Sequence, residues 1–286
     1  MKDVVDFNLN EKCISLFNTS NDFCKLNDFK INFDSFNDEL NGYEGIIYGP
    51  DNNLMKFLFR PANDIRVART LIILHGHGAN KSYSKFHDSN WNVIIPLDEY
   101  GTDNLGSWWL GENGDFKTFH LLQNLIKILN NYFKFSSLYF WGSSMGGYGA
   151  IVHGFLLKAF AIYAHIPQIK LSDTEYTDGI NLKFYSKILR EVNTEFSDLT
   201  NFIKMQRINK SPVLFLSQNS MDRKKYVLEH FLPFILACDK KGFAYSVTMP
   251  LIKGHTQHIS VAESVKLYFE SNYRKIKNWR INCEIE

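Results

Sequence analysis

Residues 137–150 read SLYFWGSSMGGYGA, and within them stands G-x-S-x-G as Gly142-Ser143-Ser144-Met145-Gly146. An apolar run precedes the motif and a run with helical spacing follows it. That context carries more than the five letters, which occur by chance in many chains. A serine at a sharp strand-to-helix turn is held in a strained backbone conformation. Glycines two residues before and after it, here Gly142 and Gly146, remove side chains that would collide across the turn. The turn lifts the Ser144 hydroxyl above the C-terminal edge of a sheet. It also aims the first amides of the next helix at whatever the serine attacks, so developing negative charge meets donors. A Gly-rich turn that only packs a helix closely on a strand is the competing explanation.

Outward from this segment the chain keeps a rhythm. Runs rich in β-branched and aromatic residues predict strands at 54–60, 70–75, 91–97, 137–141, 159–164, 213–217 and 244–249. Helical spacing fills 116–133, 145–157, 224–240 and 259–275. Several strands are continuously apolar (LIIL, NVII, VLFL), as expected when helices cover both faces of a parallel sheet. The alternation predicts an α/β chain with a mostly parallel, doubly wound sheet over residues 46–286. Residues 173–209 interrupt the rhythm and fit a small lid inserted between two strands. Residues 1–45, rich in Asn, Asp and Phe without clear periodicity, are expected to form an N-terminal extension packed on the main domain.

Composition narrows the function classes. In 286 residues, 32 basic and 30 acidic side chains leave a net charge of +2, and apolar residues reach 45%. That balance argues for a folded chain and against a nucleic-acid partner, which needs a clustered basic face. No apolar run approaches the ~18–20 residues that span a bilayer. The opening MKDVVDFNLNEK has acids where a signal peptide has a positive start, so a soluble, cytoplasmic protein is expected. Cys13, Cys24, Cys238 and Cys283 make no C-x-x-C pair and no zinc-spaced cluster, which predicts reduced thiols and no metal site.

A lone serine is a poor nucleophile and needs a base and an oxyanion site. The base belongs after the last strand, where LIKGHTQHIS (251–260) offers His255 at the strand exit and His258 near the start of the last helix. His255, following Gly254, is favoured because a loop there swings an imidazole back over the sheet. A second strand, LIILHGHGAN (71–80), runs into His-Gly-His-Gly. His75 and His77 also have the spacing of a metal pair on an extended chain, but no third ligand lies near them in sequence. Together HGHG and the GSSMGG elbow resemble the α/β-hydrolase superfamily, in which a His-Gly loop completes the oxyanion hole. The resemblance implies the backbone amides of Met145 and His77 as the oxyanion donors. It also implies the chain order Ser…Asp…His, which places the acid in the loop of PVLFLSQNSMD (212–222), at Asp222. Asp222 also fits a helix N-cap, and Asp173, Asp198 and Asp239 are the weaker rivals.

The stretch PLDEYGTDNLGSWWLGE (96–112), the elbow and Pro167-Gln168-Ile169-Lys170-Leu171 are similar to bacterial capsule polysaccharide O-acetyltransferases of this fold. An accessory secretion-pathway family that acetylates glycan on exported glycoproteins is similar as well. The resemblance implies an acyl-serine that takes acetyl from acetyl-CoA and passes it to a carbohydrate hydroxyl. No permanently bound cofactor is expected. Trp108 and Trp109 are candidates to stack on a sugar and shield the acyl-enzyme, and Gln168 to orient substrate; buried core tryptophans and a loop-satisfying glutamine are the alternatives. The rivals are a carboxylesterase or deacetylase of the same fold, a non-catalytic glycan-binding accessory protein, and a serine peptidase.

Overall fold

The computed structural model describes residues 25–26, 28–179, 182–189, 195–209 and 211–282. Its strands are β1 (Lys25–Leu26), β2 (Phe29–Asn37), β3 (Gly42–Tyr48), β4 (Leu54–Arg60), β5 (Arg69–Leu74), β6 (Trp91–Pro96), β7 (Leu138–Ser143), β8 (Ala161–His165), β9 (Val213–Ser217) and β10 (Tyr245–Thr248). All lie in one sheet, ordered β1-β2-β3-β4-β6-β5-β7-β8-β9-β10. Pairing is antiparallel from β1 to β4 and between β4 and β6, then parallel from β6 to β10.

The continuous apolar strands are explained by what covers them. Side chains alternate across a strand, and β5 sends Ile72 and Leu74 into one core cluster and Leu71 and Ile73 into another. β9 divides the same way, Leu214 and Leu216 against Val213 and Phe215. The first cluster is closed by helices α1 (Lys117–Phe133) and α2 (Met145–Leu156). On α1, Leu122, Leu125, Ile126, Leu129 and Phe133 recur at helical spacing on one buried face. Each contributes roughly 1.5–3 kcal/mol of burial. The second cluster is closed from the C-terminal end by Val265, Phe269 and Ile276.

The N-terminal stretch does more than pack on the domain: from residue 25 to residue 48 it supplies β1, β2 and β3 of the same sheet. Residues 1–24 lie outside the described residues, as do Cys13, Cys24 and Cys283, whereas Cys238 is a buried free thiol. Between β8 and β9 the insertion contributes α3 (Glu175–Asp178), α4 (Leu182–Leu189) and α5 (Leu199–Met205). The helix expected at 224–240 begins with a π turn, Val227–Phe231, and continues as α6 (Leu232–Lys241). Pro233 accounts for the widened turn, because its ring lacks an N–H and collides with the carbonyl four residues back. The last helical region divides into α7 (Val261–Ser264), a π turn (Val265–Glu270) and α8 (Tyr273–Asn282). No helix among the described residues is long and apolar enough to cross a membrane.

One topological fact positions the site. The strand after β5 pairs on one side of it and β7 on the other, so the direction of winding reverses between β5 and β7. A crevice opens at such a reversal, beyond the C-terminal strand ends. Residues 75–78 leave β5 there, and Ser144 follows β7.

Candidate active site

Ser144 sits at φ 56°, ψ −118°, a left-handed, strained backbone for a side-chain-bearing residue. Its N–H is tied to the His165 carbonyl at 2.9 Å, and the turn closes too tightly for side chains at its flanks. A Cβ on Gly142 would lie 1.9 Å from the Gly146 carbonyl oxygen, and one on Gly146 would lie 2.0 Å from that of Leu74.

Three loop residues meet above this turn. The Ser144 hydroxyl lies 2.9 Å from His255 Nε2, and His255 Nδ1 lies 3.0 Å from Asp222 Oδ2 and 3.3 Å from Oδ1. With the carboxylate accepting from Nδ1–H, Nε2 is left to accept from the serine hydroxyl. Burial opposes ionisation of Asp222, but the His255 imidazole, the Arg223 amide and Gln218 outweigh it and hold the carboxyl below its usual range. Asp222 caps no helix, because the helical segment starts only around Tyr226. His258 is turned away, its ring edge-on to His165 at 4.6 Å. Asp198 caps α5 instead, and Asp239 accepts from the Tyr245 hydroxyl.

The loop that carries His255 is gripped from below. Asn219, fully buried at the end of β9, donates its side-chain amide to the carbonyls of Gly254 and Thr256, both at 2.8 Å. The residues on either side of the imidazole are thus held by one group. His165, at the end of β8, lies 3.3 Å from the same Thr256 carbonyl. No motif marks Asn219 in the sequence; its only signal is the position, three residues before Asp222 at a strand exit.

The backbone amides of Met145, directly after Ser144, and of His77, on the loop that lines the cavity, have no acceptor among the described residues. The neighbouring amides are already bonded, Gly78 to the Leu105 carbonyl at 2.7 Å and Ala79 to that of Gly76 at 3.1 Å. The His75 ring orients this loop. Its Nε2 accepts the Asp98 amide at 2.8 Å, so Nδ1–H donates to the Gly76 carbonyl at 2.8 Å. A planar trans peptide points its N–H opposite its C=O, so fixing the Gly76 carbonyl fixes the direction of the His77 N–H. Burial keeps His75 neutral, its pKa pushed down to about 4. Both ring nitrogens of His75 are engaged in these hydrogen bonds, and no three His, Cys, Asp or Glu side chains among the described residues are grouped as ligands.

The cavity in front of Ser144 measures about 350 Å³. Trp108, Gln168, Tyr176 and Tyr185 form one wall, with the Trp108 indole N–H donating to Gln168 and the Gln168 amide donating to the Tyr176 hydroxyl at 3.0 Å. Trp109 does not line it. This indole is wholly buried, 4.8 Å from the His75 ring, in the space left by the missing side chain of Gly149. Both tryptophans lie at positive φ, 53° and 61°, and buried Asp98 braces the bend. Its carboxylate accepts the amides of Ser107 at 2.7 Å and Trp109 at 3.0 Å and the Ser107 hydroxyl at 3.0 Å. Burial raises the Asp98 pKa to about 6 against the pull of those donors.

No family model matches the chain, and no curated protein matches it. Solved structures do. An S-formylglutathione hydrolase from Agrobacterium tumefaciens aligns with a TM-score of 0.59 at 15% identity, over 88% of this chain and 99% of that one. The capsule O-acetyltransferase of Neisseria meningitidis serogroup A, a mutant of which was solved with CoA, gives 0.56 at 21% identity, over 82% and 95%. An acetyl xylan esterase from a Paenibacillus species gives 0.55 at 13% identity, over 96% and 94%. At these identities the likeness is one of architecture, and it agrees with the sheet order and the strand-to-helix elbow described above: the chain has the α/β-hydrolase fold.

Proposed function

We propose that the chain is a serine acyltransferase that moves an acetyl group from acetyl-CoA to a hydroxyl of a bacterial capsule or other surface polysaccharide. The observation that carries this reading is the unbroken hydrogen-bond path from Asp222 through His255 to Ser144 at a strained turn. In the first half-reaction Ser144 Oγ attacks the thioester carbonyl while its proton passes to His255 Nε2. The C–S bond then breaks, and the departing thiolate takes that proton. Asp222 holds the imidazole in the required tautomer and stabilises its charged form. The amides of Met145 and His77 receive the charge on the carbonyl oxygen, an effect for which one donor is commonly worth about 3 kcal/mol. In the second half-reaction a sugar hydroxyl gives its proton to His255 Nε2 and attacks the acyl carbon, and the serine recovers its hydroxyl.

Transfer outruns hydrolysis only where the acceptor is held in line and water is excluded. The aromatic wall of Trp108, Tyr176, Phe184 and Tyr185 supports that reading, as a face for a sugar ring and a dry side for the acyl group. The hydrolytic alternative, a carboxylesterase or deacetylase, draws its support from the hydrolase and esterase among the similar structures. CoA release from acetyl-CoA decides between them. Release that depends on added polysaccharide is expected, and equal release without acceptor turns the assignment to hydrolysis. Ser144→Ala is expected to remove turnover of both acetyl-CoA and p-nitrophenyl acetate by at least about four orders of magnitude. Intact mass after mixing with acetyl-CoA is expected to rise by one acetyl group in the parent and not in the variant. Full activity in Ser144→Ala would end the mechanism.

A further inference from the structure

Among the described residues, the cavity before Ser144 has a cation and no anion in its lining: Arg223 lines it, and none of the others is an Asp or a Glu. The guanidinium stands 5.1 Å from the centre of the Tyr176 ring, which holds it over the mouth by cation–π contact without neutralising it. Its sequence neighbours are accounted for: Lys224 and Lys225 pair with Glu175 at 3.7 and 3.1 Å. The one carboxylate beside Arg223 in sequence, Asp222, has its side chain fully buried against His255. Arg223 has no carboxylate partner among the described residues. A second cation stands by another lining ring, Lys183 Nζ at 4.8 Å from the centre of Phe184. An exposed, unneutralised guanidinium at the rim of an acid-free cavity suits a phosphate, which its planar fork grips through two parallel hydrogen bonds.

We propose that Arg223 is an anion-binding residue, holding a phosphate of the substrate while the reacting carbonyl sits at Ser144. Two sources have this chemistry: the phosphates of a coenzyme A thioester, or a phosphorylated acceptor sugar. The proposal rests on the acyl-serine reading for which end of the substrate enters the cavity, but its test involves no turnover. Ser144→Ala protein and the Ser144→Ala/Arg223→Gln double variant are titrated calorimetrically with CoA, pantetheine, glucose 1-phosphate and glucose. The double variant is expected to bind CoA or glucose 1-phosphate at least tenfold more weakly, and the phosphate-free partner of that pair less than twofold more weakly. Selective loss in the CoA pair assigns the anion to the donor; selective loss in the sugar pair assigns it to the acceptor. An Arg223→Lys change in the same background is expected to retain part of the affinity, because charge survives and the fork does not. Equal weakening within both pairs, or no preference of the Ser144→Ala protein for either phosphorylated ligand, overturns the proposal. The effect of Ser144→Ala on p-nitrophenyl acetate turnover is measured separately, so the acyl-serine reading stands or falls without it.

Discussion

The side-chain amide of Asn219 donates to the carbonyls on both sides of His255 and so holds the backbone that carries the imidazole. Asn219→Asp tests that role, because it keeps the shape and turns a donor into an acceptor facing two carbonyl oxygens. A loss of kcat of about tenfold to a hundredfold on p-nitrophenyl acetate, with KM little changed and a displaced acid limb of the pH profile, is the expected outcome. A variant with parental kcat and pH profile would reduce Asn219 to filler. The G-x-S-x-G elbow marks Ser144 in the sequence, strand-exit position marks His255 and the chain order of the resemblance marks Asp222, and the structure brings the three within hydrogen-bonding distance. Asn219 and the His75 ring are silent there, because what they do depends on loops that meet only after the sheet forms. The Trp108–Trp109 pair marks the same limit. Adjacent indoles read alike in a sequence, and only the left-handed bend decides that one lines the cavity while the other enters the core.

Elements were legible where burial dictates composition. The expected strands at 54–60 and 213–217 coincide with β4 and β9, which are apolar for nearly their whole length. β2 and β3 escaped notice because they lie in the antiparallel part of the sheet, where β2 mixes Asn and Asp with Phe and β3 is interrupted by Gly and Glu. In β2 only Ile31 is buried, and its register with β3 shifts between Phe33 and Phe36. The segment joining β6 to α1 has no clear pattern in the sequence, and its bend at Ser107–Trp109 is braced by the Asp98 carboxylate. Removing it as Asp98→Ala orphans the buried amides of Ser107 and Trp109, each worth about 1–3 kcal/mol. A lower urea midpoint and weaker substrate binding are expected together, since the same bend presents Trp108 to the cavity. A variant matching the parent in both would show that the bend holds without its brace.

Across the whole molecule the histidines set the response to acid. His153, His165 and His230 are buried, and burial depresses their pKa values to about 4, about 4 and about 3. Unfolded imidazoles take up protons near pH 6.5, so the unfolded chain binds more protons than the native one below that pH. The stability contributed by neutral imidazoles is therefore complete above pH 6.5 and drains away as pH falls towards 4. Each group is worth roughly 3 kcal/mol or more over that window. Asp98, its pKa raised, acts in the opposite sense between pH 4 and 6, but it is one group against four, since burial also lowers His75 to about 4. A melting temperature that drops steadily from pH 7 to pH 4.5 is expected by calorimetry, and a flat profile would contradict it. The sheet order belongs to this scale too, and no local pattern encodes it, whereas the two cores were announced by the continuously apolar strands. The separation of Ser144 from His255 by 111 positions has a consequence during synthesis. A chain leaving the ribosome completes its elbow long before β10 has been translated and zipped onto β9. On the proposed mechanism the hydroxyl lacks its base until then, so a half-made chain would not trap an acyl group.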